Sequence, residues 1–254
     1  MLFEGGFVLE LQAVGKTFGA LQALRGVDLH LRRGTVSGLI GPNGSGKTTL
    51  VNIITGVYAP DSGRVLLDGK DVSRASANQI TRLGVSRTFQ NIRIFNRMSV
   101  LENVIVALIG HDKLGLFPLL GSVRGVGGAG VEAARRTLET VGLLKQSNLF
   151  ASELPLPLRR RLEIARALVC DPKVLVLDEP AGGMTPAETA SISELIRSRI
   201  APGRTCVVIE HKLDLISRVC EHLCVLNHGE KIAEGDPRSV MSQPEVIEAY
   251  LGRA

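Results

Sequence analysis

The chain has 254 residues and a formal net charge of +5, with 44% apolar and 22% charged residues. This composition excludes disordered and fibrous proteins, and the length predicts one large domain or two small packed ones. The modest positive charge is compatible with nucleic acid, an anionic membrane surface or anionic small molecules. The absence of Trp counts against a platform for stacking single-stranded bases.

Membrane-spanning and secretory segments are not expected. The longest uncharged runs, 34–46 and 48–60, are broken by Gly or Pro, whereas a spanning helix needs about 18–20 continuous apolar residues. The first residues lack the basic and apolar regions of a secretory signal. Four Cys without a repeating pattern suit a reducing compartment. The sequence therefore predicts a soluble, cytoplasmic protein.

The first third of the chain alternates β-like runs with turn signals. Strands are predicted over 8–11, 27–31, 36–40 and 64–67. The strand at 36–40 leads into a Gly-rich loop, and a helix is predicted over 48–54. A strand, a glycine loop and a helix in this order open a mononucleotide-binding α/β unit.

Helical spacing dominates between residues 91 and 157, and strands alternate with helices after residue 158. Helices are predicted over 100–109, 131–144, 158–169 and 187–198, strands over 174–177, 206–209 and 223–226, and a short helical tail over 237–251. Residues 114–130, rich in Gly, are predicted to form a mobile connection. Unbroken apolar strands between helices predict a mostly parallel sheet that is covered on both faces.

The loop after the third strand fits the pattern G-x-x-x-x-G-K-[ST]. Small residues let successive backbone N–H groups wrap a polyphosphate, and the helix N-terminus adds a positive partial charge. Lys47 is expected to reach the β- and γ-phosphates, and the Thr48 hydroxyl to ligate Mg²⁺. The candidate nucleotide-binding residues are Gly41, Pro42, Asn43, Gly44, Ser45, Gly46, Lys47, Thr48 and Thr49.

A second motif places two carboxylates, Asp178 and Glu179, directly after the apolar strand 174–177. Ligands of α/β sheets bind at the carboxyl ends of the strands. Asp178 is a candidate Mg²⁺ residue, and Glu179 is the candidate general base that polarises the attacking water. With the glycine loop, this pair predicts a nucleoside triphosphate as the ligand.

With these two motifs in place, residues 8–254 resemble the ATP-binding-cassette (ABC) ATPases. The resemblance implies that Phe18 stacks on adenine and that Gln90 links Mg²⁺ and water to a helical subdomain. It also implies that His211 contacts the γ-phosphate and that the loop 181–186 crosses a dimer interface. Glu179, His211 and Gln90 are thus the candidate catalytic residues, and Thr48, Gln90 and Asp178 the candidate metal site.

The same resemblance implies an α/β fold of the P-loop NTPase (RecA-like) type, with a mostly parallel sheet core, an antiparallel β portion and a helical subdomain. The predicted division is a nucleotide-binding core at 8–90 and 158–236, a helical subdomain at 91–157 with a Gly-rich insert at 110–130, and a C-terminal helical tail at 237–254.

Within that family the chain is most similar to the branched-chain amino-acid uptake ATPases, through segments 87–95, 110–130, 160–166 and 244–252. This implies an ATP-hydrolysing importer subunit, peripheral at the cytoplasmic face of the cell membrane. Its implied partners are a second ATPase subunit, identical or different, membrane permease subunits and, indirectly, a periplasmic or extracellular solute-binding protein, but no nucleic acid. Importers for urea, amides or other amino acids and a lipopolysaccharide-export ATPase remain as alternatives.

Two other classes are less compatible with the sequence. Soluble ABC proteins that act on DNA or ribosomes usually have tandem cassettes or long coiled-coil insertions, and this chain has neither. A kinase or GTPase would need a substrate-hydroxyl site or a guanine-reading Asn-Lys-x-Asp motif, which is not found. Recovery of a membrane partner separates the transporter from these classes.

The chain departs from the family in two places. The family signature, usually Leu-Ser-Gly-Gly-Gln, is replaced by a stretch of Leu and Pro at 154–158, called here the signature stretch. In the family it offers a serine hydroxyl and backbone N–H groups to the γ-phosphate held by the partner subunit, so this contact is expected to weaken while the helix survives. Lys212 stands where these ATPases often carry Asp.

Two further clusters have competing interpretations. Cys220, His222, Cys224 and His228 lie close in sequence, but a packed apolar face is favoured over a metal site. Ile92, Ile94, Phe95 and Met98, beside Arg93 and Arg97, either pack inside the helical subdomain or form the groove that, in this family, receives a short helix of the membrane subunit.

Overall fold

The computed structural model describes residues 6–110 and 128–251. The strands are β1 (Phe7–Phe18), β2 (Leu21–Arg32), β3 (Val36–Ile40), β4 (Ser62–Leu67), β5 (Lys70–Asp71), β6 (Val85–Arg87), β7 (Val174–Asp178), β8 (Thr205–Ile209), β9 (His222–Asn227) and β10 (Glu230–Gly235). The helices are α1 (Lys47–Ile54), α2 (Ala77–Arg82), α3 (Val100–Gly110), α4 (Gly128–Thr140), α5 (Leu156–Leu168), α6 (Pro186–Leu195), α7 (Leu213–Val219), α8 (Pro237–Met241) and α9 (Pro244–Leu251).

A six-stranded sheet in the order β10-β9-β3-β8-β7-β6 forms the centre of the molecule. Its pairs are parallel except for β9 with β10. Strands β3 and β8 are buried along their whole length, because their apolar runs pack against elements on both faces. The carboxyl ends of β3, β7 and β8 lie at one edge, where Asp178 pairs with Ile209.

A second, antiparallel sheet has the order β2-β1-β4-β5. Its strands β1 and β2 have 12 residues each and extend well beyond the predicted 8–11 and 27–31. The sequence pattern missed these extensions because irregular pairing interrupts the alternation, and Ala13 has a φ of 46°. The polar end of β1 is held by Asp61, which accepts from Lys16 Nζ and the Thr17 N–H, both at 2.8 Å.

The two sheets and the separate helices α3, α4 and α5 confirm the predicted α/β class with a mostly parallel core and an antiparallel portion. Buried side chains divide into two clusters. One lies between the two sheets and includes Leu39, Leu50 and Val176. The other lies on the opposite face of the parallel sheet and continues into the helices through Leu138 and Leu162.

Several helix boundaries differ from the prediction, and in three helices the reason can be identified. Helix α5 starts two residues early, at Leu156, because proline tolerates the first helical turn, where its missing N–H needs no partner. Helix α4 ends at Thr140 rather than 144, and Gly142 follows with a φ of 74°. Helix α6 starts at a capping box between Thr185 and Glu188 and passes into a π-helical turn at 196–200.

The Gly-rich insert predicted over 110–130 falls largely on residues 111–127, which lie outside the described residues. Its last part was predicted as a mobile connection, but 128–130 form the first turn of α4. The predicted tail contains two short helices, α8 and α9, and residues 252–254 lie outside the description. Across the described ranges, every helix is too short or too polar to cross a lipid bilayer.

Candidate functional site

A cleft of about 640 Å³ opens at the carboxyl edge of the parallel sheet. It collects side chains from β1, the loop and helix after β3, the segment after β6, the end of β7 and the segment after β8. The predicted site residues that line it are Phe18, Asn43, Gly44, Ser45, Gly46, Lys47, Thr48, Thr49, Gln90, Asp178, Glu179 and His211. Gly41 and Pro42 do not line this cleft, but they belong to the same loop.

The loop at 41–48, called here the phosphate loop, needs glycine at its two ends. At Gly41 φ is 150°, and a Cβ there would lie 2.1 Å from the Leu226 carbonyl oxygen. At Gly46 φ is 104°, and a Cβ would lie 2.8 Å from the Ala23 carbonyl oxygen. Gly46 is the N-cap residue of α1, so the free N–H groups of the first helical turn lie next to the loop.

Lys47 is folded back onto this loop. Its Nζ donates to the carbonyl oxygens of Gly41 at 2.7 Å and Pro42 at 2.8 Å. The pKa of Lys47 lies below its ordinary value, because the effect of burial outweighs the opposing effect of the negative charges of Glu179 and Asp178. The ammonium group of Lys47 therefore interacts electrostatically with both carboxylates, although more than 130 residues separate them in the sequence.

Asp178 is held by a contact that the sequence did not reveal. Its Oδ2 accepts from Arg87 Nη2 at 2.6 Å, while Arg87 Nη1 donates to Asn52 Oδ1 at 2.7 Å. The Asp178 N–H donates to Thr88 Oγ1 at 3.0 Å. Arg87 reaches the carboxylate because β6 pairs with β7. In the sequence, only its position three residues before Gln90 could have suggested a role for Arg87 in the site.

Glu179 lies between the other two candidate catalytic residues. Its Oε2 accepts from Gln90 Nε2 at 3.0 Å, and His211 Nε2 lies 3.2 Å from its Oε1. Its backbone has a φ of 46°, which is uncommon for a residue with a side chain, and its N–H donates to the Ile209 carbonyl oxygen at 2.9 Å. The carboxylate is therefore fixed from two sides at the strand end.

Phe18 lies at the rim of the cleft with 40% of its surface exposed. Its ring packs edge-on against Tyr58, with ring centroids 5.3 Å apart, and Lys16 Nζ lies 5.5 Å from its centroid. The ring is thus only partly covered at the mouth of the site.

Comparison with known proteins identifies the family of the chain. The family profile described as "ABC transporter" matches residues 24–182, and one described as "Branched-chain amino acid ATP-binding cassette transporter" matches residues 230–254. The LivG protein of Escherichia coli K12, a high-affinity branched-chain amino acid transport ATP-binding protein, is 41% identical over 251 residues, covering 97% of this chain and 98% of that protein. This chain belongs to the ABC transporter ATP-binding family.

Other members agree along the whole length. The BraF protein of Pseudomonas aeruginosa, with the same described role, is 40% identical and aligns over 97% of this chain and 98% of its own length. The crystal structure of a nucleotide-free ATP-binding cassette from an ABC transporter superposes with a TM-score of 0.86 at 35% identity, covering 97% of this chain and 100% of that one. A further structure, of an ABC transporter cassette in its ADP conformation, has a TM-score of 0.86 at 34% identity, covering 97% of this chain and 99% of that one.

The signature stretch of this cassette forms the start of α5. Pro155 is the N-cap residue and Pro157 lies in the first turn, and neither has an N–H to donate. The N–H groups of Leu158 and Arg159 both donate to the Pro155 carbonyl oxygen at 3.0 Å. Pro155 and Pro157 therefore offer no backbone donor, and the N–H of Leu158 is already engaged within the helix.

The cysteine and histidine cluster is an apolar packing feature. Cys220 and Cys224 are buried, and burial raises the pKa of each thiol to about 12. His222 Nε2 lies 2.9 Å from Glu234 Oε1. Among the residues that the structure describes, no group of three metal-ligating side chains is assembled.

Lys212 anchors the loop at 181–186, called here the interface loop. Its Nζ donates to the carbonyl oxygens of Ala181 at 3.0 Å and Met184 at 2.8 Å and to Thr189 Oγ1 at 2.9 Å. Buried Glu210 holds the same loop by accepting the Ala181 N–H at 2.8 Å. The sequence marked Lys212 as unusual, but only these contacts show what it does.

The substitution Lys212→Met is expected to lower the free energy of unfolding by about 1–3 kcal/mol, because it leaves three acceptors without a charged donor. Urea denaturation followed by circular dichroism measures this change. Lys173→Met is the matched control, since Lys173 pairs with Asp68 at an exposed site, where a salt bridge contributes about 0–1 kcal/mol. Equal losses in the two variants would contradict the anchoring role.

Proposed function

We propose that this chain binds and hydrolyses ATP as a subunit of an importer that takes up branched-chain amino acids across the cytoplasmic membrane. The observation that carries the ATPase part is the convergence of the phosphate loop, Asp178, Glu179, Gln90 and His211 on one cleft. The amino-acid part is supported by the described roles of LivG and BraF and by the profile match at residues 230–254.

In this proposal the phosphate loop binds the triphosphate. Its backbone N–H groups and the N-terminus of α1 face the cleft, and Lys47 exchanges its carbonyl partners for the β- and γ-phosphates. Phe18, exposed at the rim, stacks on the adenine. The loop residues from Asn43 to Thr49 line the phosphate side of the site, and Gly41 and Pro42 shape the start of the loop.

The residues around the phosphate loop also fit Mg²⁺. Thr48, Asp178 and Gln90 bring hydroxyl, carboxylate and amide oxygens to the same cleft, and Mg²⁺ prefers such oxygen donors. Bound there, the ion would neutralise charge on the phosphates. Arg87 holds the Asp178 carboxylate in place from the side of β6.

Glu179 is proposed to accept a proton from the water that attacks the γ-phosphate. A general base must lie within hydrogen-bonding reach and be oriented by its neighbours. Gln90 and His211 supply that orientation at 3.0 and 3.2 Å. In the bound state His211 would also contact the γ-phosphate. The strained backbone of Glu179 fixes the carboxylate at the end of β7.

A second ATPase subunit is the proposed partner across the interface loop. A related cassette, 25% identical with a TM-score of 0.75 over 91% of this chain and 99% of that one, was solved as a dimer bound to ADP and Pi. In such a dimer each nucleotide would lie between the phosphate loop of one subunit and the signature stretch of the other. ATP could then close the dimer, because a ligand shifts only those conformations that it binds differently.

The membrane permease is proposed to dock beside the segment 89–95. Phe89 and Phe95 are 37% and 46% exposed, and each ring lies under a guanidinium, that of Arg93 at 4.5 Å and that of Arg166 at 5.0 Å. A groove of about 370 Å³ runs along this surface. Ile94 instead packs partly against the core, so the predicted groove residues divide between both interpretations.

The test is reconstitution of the chain with its candidate permease subunits and binding protein in vesicles. We expect co-purification from detergent-solubilised membranes, and Mg²⁺-dependent ATP hydrolysis that leucine, isoleucine or valine stimulates. If only urea or a short amide stimulated ATP hydrolysis, that compound and not a branched-chain amino acid would be the transported substrate. Failure to recover a membrane partner would favour a soluble ABC protein, and indifference to ATP would overturn the whole proposal.

A further inference from the structure

A buried ion pair on α5 lies outside the proposed nucleotide contacts. Arg160 and Glu163 are 7% and 5% exposed, and Arg160 Nη1 lies 3.3 Å from Glu163 Oε2. Burial raises the pKa of Glu163, while the Phe89 N–H and the charge of Arg160 lower it. A buried charged pair is costly unless further hydrogen bonds satisfy it, so the partners of this pair indicate its purpose.

Those partners are backbone atoms of the segment that carries Gln90. Glu163 Oε1 accepts the Phe89 N–H at 3.1 Å. Arg160 Nη1 donates to the Phe89 carbonyl oxygen at 3.1 Å, and Nη2 donates to the Gln90 carbonyl oxygen at 2.8 Å. Residues 88–90 belong to neither helix nor strand, so these bonds replace the ladder that a regular element would supply.

The same guanidinium also lies against the interface loop. A Cβ placed on Gly182 would lie 3.1 Å from Arg160 Nη2, so a side chain at this position would crowd the guanidinium. The Arg160 guanidinium therefore lies between the backbone at 89–90 and the loop that follows Glu179. Both loops lead directly to the Gln90–Glu179 contact at 3.0 Å.

We propose that Arg160, supported by Glu163, is a positioning residue that holds the backbone of Phe89 and Gln90 so that the Gln90 amide reaches Glu179. Arg160 acts through Gln90 and not on the nucleotide. The planar guanidinium suits this task, because its two Nη atoms reach two carbonyl oxygens at once, which a lysine ammonium does not do in a fixed geometry. The inference rests on the proposed roles of Gln90 and Glu179.

The test is a double-mutant cycle of Arg160→Met and Gln90→Ala, measured as kcat and KM for ATP in the assembled transporter. Arg160→Met alone should lower kcat by about 10- to 100-fold, the loss expected from a misplacement of about 1 Å, with KM within about threefold. In the Gln90→Ala background it should change kcat less than about twofold, because the residue through which it acts is gone. Arg160→Lys should restore only part of the loss.

Arg161→Met is the matched control. Arg161 lies on the same helix and donates to the Val141 carbonyl oxygen and to Ser191 Oγ, away from the segment at 89–90. Its kcat should stay near that of the unsubstituted chain. Glu163→Gln, which keeps the shape and an acceptor for the Phe89 N–H, should show the same dependence on Gln90 as Arg160→Met, with a smaller loss.

Two results would overturn the inference, and a third would overturn the proposed function on which it rests. Equal loss of kcat from Arg160→Met with and without Gln90 would overturn the positioning role. Failure of both Arg160→Met and Glu163→Gln to fold would assign the pair to stability and also overturn it. If Gln90→Ala alone left kcat for ATP hydrolysis unchanged, the proposed function of the site would fail instead.

Discussion

The substitution Glu179→Gln is expected to lower the kcat for ATP hydrolysis by about 10²- to 10⁴-fold, the usual contribution of a general base. The amide cannot accept the proton of the attacking water, while it still fills the position between Gln90 and His211. The KM for ATP should stay within about threefold, because Lys47 and the phosphate loop are unchanged. A coupled phosphate-release assay on the reconstituted transporter measures both constants.

Glu194→Gln is the control for this substitution, since Glu194 is an exposed residue of α6 that pairs with Arg197. It should leave kcat unchanged. Retention of more than about a tenth of the original kcat by Glu179→Gln would remove Glu179 from the role of base. His211→Ala would then identify whether the histidine carries that role.

The second large effect concerns asymmetry between two ATP sites. In a dimer with a non-identical subunit, Glu179→Gln in this chain should abolish most turnover, whereas the same change in the partner should leave most of it. The reason is that this chain's signature stretch would serve the nucleotide of the partner. One or two lost hydrogen bonds to a charged phosphate cost about 1.5–3 kcal/mol each, or about 10- to 150-fold each.

The start of α5 supports this expectation. Pro155 and Pro157 offer no N–H, and the N–H of Leu158 is already bonded to the Pro155 carbonyl oxygen. Comparison of ATP turnover in the two singly substituted dimers tests it directly. Equal reductions would contradict the asymmetry, and the triple change Pro155→Ser, Pro157→Gly and Leu158→Gln should raise turnover at the impaired site.

The local motifs were readable from the sequence for a physical reason. The phosphate loop is one contiguous stretch, so the glycines at 41 and 46, Lys47 and the start of α1 follow from local backbone rules. The buried strands β3, β7 and β8 were likewise predicted, because unbroken apolar runs identify strands covered on both faces. The sequence pattern did not predict the polar C-terminal part of β1, because pairing with the distant strand β4 stabilises it.

The sequence by itself therefore determined the family and the α/β class, and it singled out Lys47, Asp178 and Glu179 as candidate site residues, because each depends on a short pattern beside a strand end. Tertiary structure alone decided how these groups are held. Arg87 reaches Asp178 across 91 positions of sequence, and Arg160 reaches Gln90 across 70. Such contacts exist only after β6, β7 and α5 have packed together, since each partner is an ordinary polar residue until folding supplies the other.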